Sequence, residues 1–227
     1  MPLQRTSRLS AFILGAIVLG ACFILHILPA RADSSAKTGL AESYIADFFR
    51  ATVETAVAPQ SDEYATKAVK ALLLREIPLD ETARFMLGRA WPTDNNEVQI
   101  QFQDEFHDFV AEAVTHSLRS NPSVALEVKG SRKRSDGSLL VLSSLNLPSG
   151  TALPVDWQVA ENPSDGTFQI TDVAVAGIQA GFMLRNMAAA ALDDGETVEG
   201  LIPRLRTALG KRARAAAAAA PPTVTSP

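Results

Sequence analysis

The sequence predicts an α+β fold: a four-stranded antiparallel meander sheet wrapped by N-terminal and C-terminal helices. Two observations carry this. Between Val124 and Ile178, apolar residues recur at alternate positions in four runs, each closed by a turn rich in Gly, Pro, Asp or Asn. On either side of that stretch the apolar spacing changes to threes and fours, which places one stripe on a helix. Helices gathered before and after a run of short-looped strands stack on one sheet face rather than alternate with the strands.

The elements follow in order. Tyr44, Ile45, Phe48, Phe49, Val53 and Val57 predict a first helix over Ala41–Ala58, after a polar lead from Ser34 to Leu40, and Pro59 stops it. Ser61 is placed to cap a second helix, with Asp62 and Glu63 in the first turn where the helix dipole favours acids. Asp80 and Glu81 open a short third helix that runs to Gly88, and Ala90-Trp91-Pro92 forms an elbow. The longest helix spans about Asn96 to Arg119, with Phe102, Phe106, Phe109, Val110, Ala113, Val114 and Leu118 as its apolar stripe.

In the sheet, Val124, Leu126 and Val128 begin the alternation and Ser135-Asp136-Gly137 offers a hairpin turn. Leu139 to Leu147, then Leu153, Val155, Trp157 and Val159, then Phe168, Ile170, Val173 and Val175 complete it. The apolar phase slips by one between Ile170 and Val173, which predicts a β-bulge at Asp172. Gly177 and Gly181 bracket a turn into a helix of Met183 to Leu192, and a last helix turns Val198, Leu201, Ile202, Leu205 and Leu209 inward.

The ends of the chain speak to its compartment. Arg5 and Arg8 precede an apolar run from Leu9 to Leu28, and Ala30-Arg31-Ala32 has the small-x-small form of a signal-peptidase site. The expected organisation is therefore a signal peptide over 1–32, one domain over 33–210 and a disordered Ala/Pro-rich tail over 211–227. Retention of the run as a membrane anchor, or lipidation at Cys22 within Leu19-Gly20-Ala21-Cys22, are the alternatives. All three put the domain outside the cytoplasm, and cleavage puts it in the periplasm.

Cys22 is the sole cysteine, so the cleaved chain has no disulfide and no thiolate ligand. Removing Arg5, Arg8 and Arg31 from a net charge of −4 leaves −7, which with no basic stripe argues against nucleic acid. His107 and His116 lie two and a half turns apart on one helix and cannot share a metal. No nucleophile elbow, phosphate loop or metalloprotease motif occurs. No catalytic set, cofactor site or metal site is expected. The carboxylates best suited to acid/base work are Asp156 and Asp172, and either as base would make the chain a small-molecule enzyme. Against this, Asp156 takes the outward phase and Asp172 is placed to cap the bulge. Apolar surface is in surplus, and periodicity alone leaves open whether it fills a core or lines a slot.

One segment has a familiar form. Ala83-Arg84-Phe85-Met86-Leu87-Gly88-Arg89-Ala90-Trp91, followed by Phe102 and Phe106, resembles the LG-x-x-W … F-x-x-x-F segment of the MlaC, or toluene-tolerance, family. Phe168 to Ile178 is similar to that family's W-K-I-x-D-V-x-V-E-G-V strand, and Arg185, Gly195, Leu201, Ile202 and Leu205 fit its closing helices. Phe168 stands in place of the usual Trp, Ala176 in place of an acidic residue and Gln179 in place of a small hydroxyl residue. The resemblance implies a curved, NTF2-like cone and a soluble, monomeric periplasmic carrier. Its cargo would be phospholipid, exchanged between an inner-membrane ABC transporter and an outer-membrane lipoprotein complex. A hopanoid-carrying, HpnM-like branch is the alternative. The lipid-binding wall expected on this basis is Phe85, Leu87, Trp91, Phe102, Phe106, Phe109, Val141, Val155, Trp157, Ile170, Val173 and Phe182.

Overall fold

Five antiparallel strands form one open sheet in the order β1-β2-β3-β4-β5, with helices against one of its faces. The structure is a computed structural model that describes residues 34–162 and 165–207. The leader with its cleavage, anchor and lipidation positions, and the tail over 211–227, lie outside the described residues.

Helix α1 (Ser34–Val57) begins seven residues before the expected Ala41. Nothing in 34–40 breaks a helix, and two tertiary contacts hold its first turns to the sheet. Lys37 pairs with Glu161 at 2.7 Å, and Ser131 donates its hydroxyl to Glu42 at 2.7 Å. Its buried residues Ala41, Ile45, Phe48, Thr52 and Ala56 follow helical spacing. Helix α2 (Asp62–Glu76) starts as the sequence predicts, the Ser61 side chain accepting from the Tyr64 amide at 3.3 Å. Helix α3 (Leu79–Leu87) ends at Gly88, where a single 3-10 turn (Gly88–Ala90) leads to Trp91. Helix α4 (Asn96–Ser120) is capped by Asn95, whose side chain accepts from the Val98 amide at 3.2 Å. Phe102, Phe106, Phe109, Val110, Val114 and Leu118 form its buried stripe.

Strands β1 (Ala125–Lys133), β2 (Leu139–Asn146), β3 (Ala152–Glu161) and β4 (Phe168–Val175) occupy the predicted meander. The β1–β2 turn is held by Asp136, which accepts from the Ser138 amide at 2.9 Å and hydroxyl at 2.6 Å. Gln158 pairs with Asp172 and Val159 with Ile170, so Thr171 is the extra residue and the bulge stands where the phase slip placed it.

The expectation of four strands needs correcting. β5 (Ile178–Gln179) folds back on β4 through a two-residue turn at Ala176 and Gly177, with φ of 52° and 79°. Both values are positive, as in the tight turns that match the twist of a hairpin. Ala176 carries no glycine or asparagine signature, and a two-residue strand shows no alternation, so neither was visible in the sequence.

Helix α5 (Ala180–Asp193) and helix α6 (198–207) close the fold. Leu184 and Ala188 of α5, and Leu201, Ile202 and Leu205 of α6, enter the same core as α1 to α4. Arg206 of α6 holds Glu112 of α4 with two hydrogen bonds of 3.0 and 3.2 Å. No helix among the described residues is long and apolar enough to cross a membrane.

Candidate functional site

Large apolar side chains meet on the inner face of the sheet. Along α4 an aromatic ladder runs from Trp91 to Phe102, Phe106 and Phe109, with successive ring centroids 6.5, 6.4 and 6.4 Å apart. Opposite it, β2 presents Val141, β3 presents Val155 and Trp157, and β4 presents Ile170 and Val173, all in one buried cluster with Leu87. Ten of the twelve sequence-predicted wall residues thus share one continuous apolar volume. Phe48 of α1 also meets Trp157, edge-on at 6.1 Å, and was left out of the predicted set although it stood on the α1 stripe.

The other two mark where this volume reaches the surface. Phe182 at the start of α5 is 55% exposed and stands edge-on to the half-buried Phe85 of α3 at 5.4 Å. Arg185 lies over the Phe85 ring at 5.0 Å and donates from Nη1 to the Phe85 carbonyl at 2.8 Å. Gly88 makes room for it: a Cβ there would stand 2.6 Å from a guanidinium nitrogen, and its φ of +53° also disfavours a side chain. Arg84 lies over the Trp91 ring at 5.3 Å. This α3–α5 corner was missed in the sequence, because its contacts join residues a hundred positions apart.

Polar groups in the interior are few and engaged. The Trp157 indole donates to Ser143 Oγ at 2.9 Å, and Ser143 donates to the Val155 carbonyl at 2.8 Å. The Tyr44 hydroxyl donates to Glu76 at 2.8 Å; burial, then that hydrogen bond, pushes its phenol well above the usual range.

The two carboxylates weighed as catalytic bases do not reach the inner face. Gln158 and Asp172 are cross-strand partners, as are Asp156 and Ala174, and all four take the phase opposite Trp157. Asp172 accepts from the Val173 amide at 2.8 Å and the Gln179 amide nitrogen at 2.9 Å, and from the backbone of Gly181 in the first turn of α5. Burial raises its pKa, while those donors hold it down. The carboxylate joins the bulge to the start of a helix whose N-cap residue, Gln179, makes no side-chain cap bond. The reading of Asp156 or Asp172 as a base in an enclosed cavity is therefore withdrawn.

His107 is buried on α4, its Nε2 2.9 Å from Asp80 Oδ1 but off hydrogen-bond angle. Burial lowers its pKa, opposed by the nearby Asp80 carboxylate. The folded protein therefore binds this proton less readily than the unfolded chain. Its stabilising contribution is complete above the unfolded value near 6.5 and falls as pH drops through the lower folded value. His107→Gln is expected to flatten this part of the acid limb. Thermal melts of both proteins between about pH 7 and pH 4.5 measure it, and parallel curves would contradict the assignment.

The family model for MlaC protein matches residues 45–207. The chain belongs to the MlaC family. Its fold is similar to that of the phospholipid-binding protein from Ralstonia solanacearum, solved in complex with a phospholipid. That likeness has a TM-score of 0.53 at 20% identity and covers 82% of this chain and 99% of the other. No curated protein matches the chain. Within this MlaC-family chain, the Leu87-Gly88-x-x-Trp91 motif has a local physical cause. Leu87 enters the core, Gly88 ends α3 beneath Arg185, and the 3-10 turn sets Trp91 at the head of the ladder.

Proposed function

We propose that this chain is a soluble periplasmic lipid carrier, taking acyl chains between the inner sheet face and α3, α4 and α5. The observation that carries the reading is membership of the MlaC family, together with a fold shared with a protein solved holding a phospholipid. The leader over 1–32 supports a periplasmic location, and the same reading assigns an inner-membrane ABC transporter and an outer-membrane lipoprotein complex as donor and acceptor. It involves no catalytic step.

The physical chemistry suits a carrier. Each methylene removed from water contributes about 0.8 kcal/mol, so one chain of about sixteen carbons represents on the order of 12 kcal/mol gross. A membrane already shields that chain, so the net preference for the carrier is small and transfer is reversible. The aromatic ladder offers flat faces to an extended chain without polar groups that would need desolvation.

Native mass spectrometry of protein purified from its periplasm without detergent tests the proposal. The expected result is a complex heavier than the chain by a diacyl phospholipid, released on organic extraction. Extraction of a hopanoid instead would assign the family's other branch. An apo mass with no extractable lipid would sink the carrier reading.

A further inference from the structure

The α3–α5 corner holds a charge arrangement that packing does not account for. Ten arginines lie among the described residues. Arg50, Arg75, Arg119, Arg134, Arg204 and Arg206 each meet a carboxylate. The remaining four, Arg84, Arg89, Arg132 and Arg185, make no ion pair among the described residues. Arg132 belongs to β1, but the other three fall within residues 84–89 and on the facing turn of α5. In a chain that carries 25 acidic against 18 basic residues once 1–32 is removed, unpaired cations would be expected to scatter. Here three of four gather where Phe85 and Phe182 bring the apolar volume to the surface.

Two of the guanidiniums are also held in place without being neutralised. Arg84 lies over Trp91, and Arg185 lies over Phe85 with one N–H spent on the Phe85 carbonyl. Ring faces and a backbone carbonyl fix orientation but leave the formal charge and several N–H donors free. Arg84 sits in the last turn of α3, where it offsets part of the helix dipole, a role worth only a fraction of its charge. Gly88 lets Arg185 lie against the backbone one turn beyond Arg84, so both forks serve one corner. Planar forks beside an apolar mouth are suited to bidentate contact with a phosphate ester.

We propose that Arg84, Arg89 and Arg185 form a binding site for the phosphodiester headgroup of a lipid whose chains enter beside Phe85 and Phe182. This rests on the carrier reading above and adds to it a determinant of cargo class: the site discriminates for the phosphate ester, the ladder for the chain. A free phosphate monoester shares the chemistry, and the test separates the two sources.

The test uses the full mature chain, stripped of lipid and titrated with dioleoyl phosphatidylglycerol, with dioleoylglycerol of the same chains, and with inorganic phosphate. Trp91 fluorescence reports occupancy under Arg84, and native mass spectrometry reports stoichiometry. The double variant Arg84→Gln, Arg89→Gln is compared with wild type, Arg185 being spared because it also braces the Phe85 carbonyl. Wild type should prefer phosphatidylglycerol over dioleoylglycerol by at least about tenfold. The variant should lose most of that preference while keeping its dioleoylglycerol affinity and its melting temperature. Dioleoylglycerol bound with no preference for the phosphodiester, or a preference that survives in the variant, would overturn the headgroup site and leave the carrier reading intact. Neither lipid binding wild type would overturn both. Inorganic phosphate binding within tenfold of phosphatidylglycerol would reassign the corner to a free anion and overturn the headgroup assignment.

Discussion

Trp157→Ala is expected to remove about 3–5 kcal/mol of stability, a large part of what holds a domain of this size together. Trp157 is 2% exposed at the centre of the inner face, between Phe48 of α1 and the facing strands. Its removal takes away the largest fully buried side chain and leaves a void that β2 and β4, each hydrogen-bonded to β3, cannot close. It also takes the indole N–H from Ser143, whose hydroxyl then accepts nothing while still donating to Val155. Trp157→Phe separates the two effects. It keeps most of the ring, leaves a smaller gap and loses the hydrogen bond, for about 1–2 kcal/mol. Urea denaturation of the three proteins checks the order. A loss below about 1 kcal/mol for the alanine variant would mean that the inner face collapses around the gap and is not a packed unit.

That inner face was legible in the sequence because its signal is a phase. Val155, Trp157 and Val159 alternate with Asp156, Gln158 and Ala160, and the slip at Asp172 announced the bulge at Thr171. Phe102, Phe106 and Phe109 were equally readable from helical spacing. What escaped has no period. β5 is two residues long and turns on an alanine, so it lacks both alternation and turn chemistry. The first turns of α1 are held by Lys37 to Glu161 and Glu42 to Ser131, pairings across about a hundred residues. The arginine corner is of the same kind. Net charge sums over the whole chain, and the absence of a basic stripe in the sequence did not foretell three cations gathered by folding at residues 84–89 and 185. Contacts of Arg84 with a ring and of Arg185 with a carbonyl leave no pattern of opposite charge to read. Apolar phase therefore located the wall of the site, and only the folded chain located its rim.

Arg119→Ala is the second large loss, about 2–4 kcal/mol, although the residue lies far from the apolar volume. From the last turn of α4, Arg119 donates Nε to the Ala56 carbonyl at 2.7 Å and Nη2 to the Gln60 carbonyl at 2.8 Å, with a longer contact of 3.4 Å to Ala58. These carbonyls belong to the end of α1 and the loop that follows, where a helix has no backbone donors left to satisfy them. A fixed cation also suits the negative end of the α1 dipole. One guanidinium thus ties the end of α1 to α4 and, through its ion pair with Asp62, to the start of α2. The carbonyls should dominate, because Asp62 is 88% exposed and a pair so open to water is worth well under 1 kcal/mol. Each hydrogen bond from a charged donor to a part-buried carbonyl contributes about 1.5 kcal/mol or more, and its loss leaves the acceptor unpaired. Arg119→Lys keeps the charge but loses the fork, and should recover less than half of the loss. Asp62→Ala measured beside it decides between the two accounts. Equal losses for Asp62→Ala and Arg119→Ala would show that the ion pair, not the capping of α1, is what the arginine supplies.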